Sequence, residues 1–172
     1  MSTQPDRALT LEELAETTRR FAEDVAAGRY RVEADPEQRW HVRIHADDRV
    51  DVWLIGWTTE QATQLHDHGG SAGAFTVVDG ELTESVWAGP KGEGHLTDLT
   101  RAAGETVVFG THYVHDVVNR AAGTAVSVHA YSPPLHLMHY YDVDGNRLVR
   151  RASSWTDDPE APAPAREERV AS

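Results

Sequence analysis

Two stretches of this chain carry side chains able to do chemistry. His66-Asp67-His68 sets two imidazoles at i and i+2. On a strand those positions point to the same face, so both rings can meet one metal ion without strain. Ser127-Val128-His129-Ala130-Tyr131 puts Ser127, His129 and Tyr131 on one face and Val128 and Ala130 on the other. Such a polar row needs hydrogen-bond partners or a wet cavity. Alternation alone favours the simpler placement, an outward face in water.

The elements that must position these residues are short strands. Val50, Val52 and Leu54 alternate with Asp51 and Trp53, and residues 74–78 run into the tight turn Asp79-Gly80. Residues 81–87, 106–109, 114–118 and 124–131 read as further strands, and residues 88–94 as a loop. Residues 139–143 and 147–151 flank Asp144-Gly145 as a late hairpin. Many short strands at regular spacing predict an all-β sandwich or barrel. Ahead of them, Thr10 and Glu13 form a capping box, and Leu11, Leu14, Phe21 and Val25 share one helical face that Gly28 ends. The spacing predicts an amphipathic helix over residues 11–27, preceded by a loose terminus, residues 1–9. The domain is expected over residues 1–152. Residues 153–172, with Pro159, Pro162 and Pro164 among acidic and small residues, read as a disordered tail.

Composition removes several function classes. The 172 residues suit one domain. Sixteen Lys+Arg against 28 Asp+Glu give a net charge of −12, a poor match to nucleic acid or an anionic membrane. Cysteine is absent, which excludes disulfides, thiolate metal sites and cysteine nucleophiles. No apolar run reaches the roughly 18 residues of a membrane helix, and no secretory signal is visible. A cytoplasmic protein is expected. Ten histidines in a cysteine-free chain are the unusual count.

The spacing around the histidines resembles the paired motifs of the cupin superfamily. Gly80 follows His68 by twelve residues, and Gly104, His115 and Asn119 stand downstream. The first motif runs His-x-His, a Glu, six residues, then Gly; here the Glu slot holds Gly73. The second motif is degenerate, with Gly110 and His112 in the places of its usual Pro and second Gly. The resemblance implies three neutral imidazoles, His66, His68 and His115, with no carboxylate. A three-nitrogen site suits Fe(II), Zn(II), Ni(II) or Cu(II), and spacing does not choose among them. Neutral ligands leave the ion's charge uncompensated and favour an anionic ligand such as a thiolate.

Over residues 40–142 the chain resembles the bacterial branch of the cysteine dioxygenase (thiol dioxygenase) family. The matching stretches are residues 66–71, Gly73-Ala74-Phe75, residues 115–119 and residues 127–134. The resemblance implies a cupin jelly-roll β-barrel and one Fe(II) per chain on His66, His68 and His115. Ser127, His129 and Tyr131 would form the relay beside the substrate, with a cis bond at Ser132–Pro133. Gly73 stands where animal members carry the cysteine that crosslinks to the tyrosine. Arg43, in Trp40-His41-Val42-Arg43, takes the position that binds the substrate carboxylate. His41, His45, His95, His112, His136 and His139 have no motif support. The implied reaction oxidises L-cysteine with O2 to cysteine sulfinic acid, in a monomer whose partners are a small thiol and O2. A dioxygenase of 3-mercaptopropionate or another thiol, and a metal-binding cupin of other function, are the alternatives.

Overall fold

Eleven strands and one helix make up the computed structural model, which describes residues 7–165. The helix α1 spans Leu11–Ala26. The strands are β1 (Trp40–Ala46), β2 (Asp51–Trp57), β3 (His66–Asp67), β4 (Ala72–Asp79), β5 (Glu81–Ala88) and β6 (His95–Ala102). They continue as β7 (Thr106–Phe109), β8 (His115–Val118), β9 (Ala125–Ser132), β10 (Leu137–Asp144) and β11 (Arg147–Trp155). Two antiparallel sheets result, in the orders β1-β2-β9-β4-β7 and β11-β10-β3-β8-β5-β6. This is the double-sheet, all-β architecture expected, with the helix in front of it.

Alternation divides the first sheet between two cores. Trp53, Ile55, Trp57, Phe75, Val77 and Tyr131 point inward and meet Leu82, Val117, Met138 and Tyr140 of the second sheet. Val52, Leu54, Ala74, Val126, Val128 and Ala130 point outward and are covered by Leu14, Phe21 and Val25 of α1. Each buried Val, Leu, Ile or Phe among them stabilises the fold by about 1.5–3 kcal/mol. Covering the outer face is why β9 is buried along its whole length. Its polar row is therefore internal, against the solvated placement that alternation alone favours.

The capping box is present. Glu13 N donates to Thr10 Oγ1 at 3.1 Å, and Thr10 N donates to Glu13 Oε2 at 2.7 Å. Leu11 departs from the expected apolar face and is exposed, because it lies in the first turn ahead of the sheet contact. Residues 1–6 of the loose terminus lie outside the described residues. Leu9, also assigned to it, is tied to the barrel by its N–H to Ser132 Oγ at 2.8 Å. Gly80 turns β4 into β5 with φ +73°, a conformation that L side chains rarely adopt.

Two stretches correct the expectations. β6 was not anticipated, because it is a largely exposed edge strand with no alternating apolar face. The stretch from Ser153 is not disordered where it is described: β11 continues to Trp155, and residues 156–165 lie against the barrel. Ion pairs to Arg39, just before β1, and to Arg43 on it join the two, as detailed below. Residues 166–172 lie outside the described residues. Among the described residues no helix is long and apolar enough to cross a membrane.

Candidate metal centre

Strand pairing delivers the histidines. β3 and β8 run antiparallel with His66 opposite His115, so their side chains share one face. His68 lies just beyond the end of β3, where Gly69 turns the chain with φ +59°. The three rings converge, each buried, with one ligand atom apiece within 4.8 Å of the others. The Nε2 atoms of His66 and His68 are 3.1 Å apart. Two ligands each about 2.0–2.1 Å from one ion lie roughly 2.9–3.4 Å apart at right-angle to tetrahedral geometry, so the pair fits a divalent metal.

Hydrogen bonds hold the far side of two of the three rings. His66 Nδ1 donates to Gln64 O at 2.5 Å, which leaves Nε2 free to ligate. His115 Nδ1 donates to Glu84 Oε2 at 2.7 Å, which does the same for its Nε2. Phe109 stacks on His68 with centroids 4.9 Å apart. Burial pushes His66 down to about 3 and His68 well below the usual imidazole range, so both are neutral ligands at pH 7. Asp67 points away from the histidines, as alternation requires. Its carboxylate accepts from Tyr141 Oη at 2.7 Å and from Gly69 N at 3.0 Å, which pins β3 in place.

Glu84 escaped the sequence reading. On β5 it is fully buried and gathers four donors. Oε1 accepts from Arg101 Nε at 3.0 Å and Nη2 at 2.8 Å; Oε2 accepts from Tyr113 Oη at 2.9 Å and from His115. Burial alone would raise its carboxyl, but the bonds from His115, Arg101 and Tyr113 outweigh it and hold Glu84 below the ordinary range. A buried acid one strand over from His115 and two from His66 carries no spacing motif, and its partner Arg101 sits on the unanticipated β6.

The polar row of β9 faces the same cavity. Trp57 Nε1 donates to Ser127 Oγ at 2.9 Å, and Ser127 Oγ meets His129 Nε2 at 2.8 Å. His129 stacks on Phe75 and, buried, is pushed down to about 3. Tyr131 lies 4.9 Å from His68, ring to ring, and burial pushes its phenol well up, so it stays protonated. Among the described residues no hydrogen bond joins His129 to Tyr131; packing positions the phenol. Gly73 pairs opposite Tyr131, and a Cβ there would lie 2.5 Å from the Phe109 ring. The glycine therefore lets Phe109 reach His68. The Ser132–Pro133 bond is cis, as the resemblance implied.

Arg43 is not brought to the histidines. Its guanidinium lies over Trp53 at 4.7 Å and pairs with Asp157 at 3.1 Å. The guanidinium at the site belongs to Arg39, which lies over Trp57 and pairs with Glu160. Arg39 and His66 line one cavity of about 140 Å3. His112 is exposed in the turn before β8, and Asn119 is structural, its amide holding Trp57 O and Gly123 O.

Comparison with solved structures agrees on the fold. The chain is similar to the TT1209 protein of Thermus thermophilus, at 22% identity and TM-score 0.51 over 59% of this chain and 90% of that one. It is similar to an RmlC-like cupin from Desulfovibrio desulfuricans, at 15% identity and TM-score 0.50 over 61% and 92%. An oxalate oxidase in complex with glycolate matches at 14% identity and TM-score 0.52 over 81% and 62%. These likenesses are to the fold of the barrel alone, which the second of them shares as an RmlC-like cupin. The sequence model of cysteine dioxygenase type I matches residues 6–144, which include all three histidines, Glu84 and the β9 row. With that match over most of its length, the chain belongs to the cysteine dioxygenase type I family.

Proposed function

We propose that this protein is a thiol dioxygenase that converts L-cysteine and O2 to cysteine sulfinic acid, with Fe(II) held by His66, His68 and His115. The observation that carries this reading is the cluster of three buried histidines, with no carboxylate among its ligands, close to a guanidinium and a protonated phenol. When bound, the metal supplies the positive centre at which thiolate and O2 are brought together. The chain's own groups do the rest. Neutral imidazoles leave that positive charge to the thiolate. Arg39 offers the carboxylate a bidentate partner. Tyr131 keeps its proton and donates a hydrogen bond to oxygen on the substrate. Ser127 and Trp57 fix the His129 ring behind it. Both oxygen atoms of O2 end on sulfur, and the thiol supplies the electrons, so no external reductant is required.

Three substitutions separate these roles. Tyr131→Phe removes one donor from the reacting groups and is expected to lower kcat by on the order of 10²-fold with metal content unchanged. Loss of metal instead would assign Tyr131 to the fold. Arg39→Ala is expected to raise KM for L-cysteine at least about 30-fold, the equivalent of about 2 kcal/mol for truncating one partner of a buried charge pair. Arg43→Ala should move KM by no more than about twofold, as for an exposed ion pair. The reverse ranking would return the carboxylate role to Arg43. Steady-state O2 uptake with L-cysteine, 3-mercaptopropionate and 2-aminoethanethiol reads all three variants. The first thiol is expected to give the highest kcat/KM. Preference for 3-mercaptopropionate would keep the site and change the substrate.

A further inference from the structure

The segment after β11 crosses from the edge of one sheet to the edge of the other. Arg39, His41 and Arg43 alternate along β1 and the residue before it, on the face that looks into the barrel. Each meets an acid of this segment: Arg39 pairs with Glu160, His41 Nε2 lies 3.2 Å from Asp158, and Arg43 pairs with Asp157. The crossing is locally ordered. Asp158 N donates to Thr156 Oγ1 at 3.0 Å, Glu160 N to Asp158 Oδ1 at 2.9 Å, and Ala161 N to Asp158 O at 3.2 Å. Ala163 packs on the inner core.

Its centre sits at the mouth of the site. Pro159 and Glu160 line a cavity of about 10 Å3 together with His66, His115, His129 and Tyr131. The same two residues line the outer cavity of about 140 Å3, which Arg39 borders. The inner space holds about one water and no thiol amino acid. A substrate seated among His66, His115, His129 and Tyr131 therefore requires Pro159 and Glu160 to move. Glu160, whose side chain is 4% exposed, presents a carboxylate to the guanidinium that a substrate carboxylate needs.

We infer that residues 157–163 form a strap that gates the site, with Glu160 occupying Arg39 until a substrate carboxylate displaces it. This rests on the carboxylate role assigned to Arg39 above. The strap is thus an intramolecular competitor selective for thiols that bear a carboxylate. Opening exposes the Glu160 and Ala161 amides, whose N–H groups now donate to Asp158 Oδ1 and Asp158 O.

Hydrogen exchange by mass spectrometry tests this on the full-length, metal-loaded protein without oxygen. The peptide covering residues 156–163 should exchange several-fold faster when 3-mercaptopropionate or propionate is added, and not with 2-aminoethanethiol, while β9 stays unchanged as the internal reference. In Glu160→Gln that peptide should exchange fast already and ignore both carboxylates. KM for L-cysteine should fall about fivefold in this variant, because apparent affinity scales with the fraction of open chains. Slow exchange in Glu160→Gln, an identical response to all three compounds, or a higher KM in the variant would each overturn the strap. Absence of O2 uptake with every thiol, in protein whose strap opens with propionate, would overturn the dioxygenase reading and leave the strap standing.

Discussion

His68→Ala is expected to reduce bound metal from about one ion per chain to a trace, and thiol-dependent O2 uptake with it. Two neutral imidazoles make a poor site for a divalent ion, since catalytic centres use three protein ligands. The buried position offers no replacement: Phe109 stacks on one side of the His68 ring and Tyr131 lies 4.9 Å away on another. The loss is also readable as stability. A metal present at 1,000 times its Kd stabilises the wild-type fold by about 4 kcal/mol, or roughly 10 °C in Tm for a chain of this size. The variant should show no metal-dependent shift. Elemental analysis and thermal melts with and without Fe(II) check both effects. His112→Ala, at an exposed turn residue, serves as the control and should retain the shift. Full metal occupancy in His68→Ala would remove that residue from the ligand set.

Glu84→Ala is expected to destabilise the fold by about 3–5 kcal/mol, the cost of leaving a buried charge unpaired. The carboxylate is fully buried, and its partner Arg101 keeps only 20% of its side chain exposed. Removing it strands that guanidinium, the Tyr113 hydroxyl and the Nδ1–H of His115 together. Glu84→Gln keeps the volume and separates the second effect. Without a carboxylate behind it, His115 is a weaker and less oriented ligand, and metal affinity should fall about 10–100-fold. Urea unfolding of the metal-free protein reads the first consequence, and a chelator competition reads the second. Stability within about 1 kcal/mol of wild type in Glu84→Ala, together with unchanged metal affinity in Glu84→Gln, would show that the network is dispensable.

These two residues also mark what sequence could and could not carry. His68 is visible because its partner His66 lies two positions away, and β alternation turns that spacing into proximity. The Ser127, His129 and Tyr131 row is visible for the same reason, although only the covering helix reveals that it faces inward. Glu84 has local neighbours of no chemical note, and its four donors come from β6, the turn before β8, and β8 itself. The structure sets Arg43 against Trp53 and Asp157, away from the histidines, because a match to a strand position fixes a face and not a height. Arg39 and Arg43 share the inward face but stand four residues apart, roughly 13 Å along an extended chain. The same long-range pairing hid the C-terminal segment. Its Pro-rich, acidic composition reads as disordered until Arg39, His41 and Arg43 are set opposite its acids.

The most direct measurement is isotopic. The Fe(II)-loaded protein is given L-cysteine and isotopically labelled O2, and the product is weighed by mass spectrometry. Cysteine sulfinic acid carrying two labelled oxygen atoms, formed by wild type and not by His68→Ala, is the expected result. One labelled atom, oxygen drawn from water, or an unchanged thiol in protein shown to hold iron would contradict a dioxygenase acting on cysteine at this three-histidine centre.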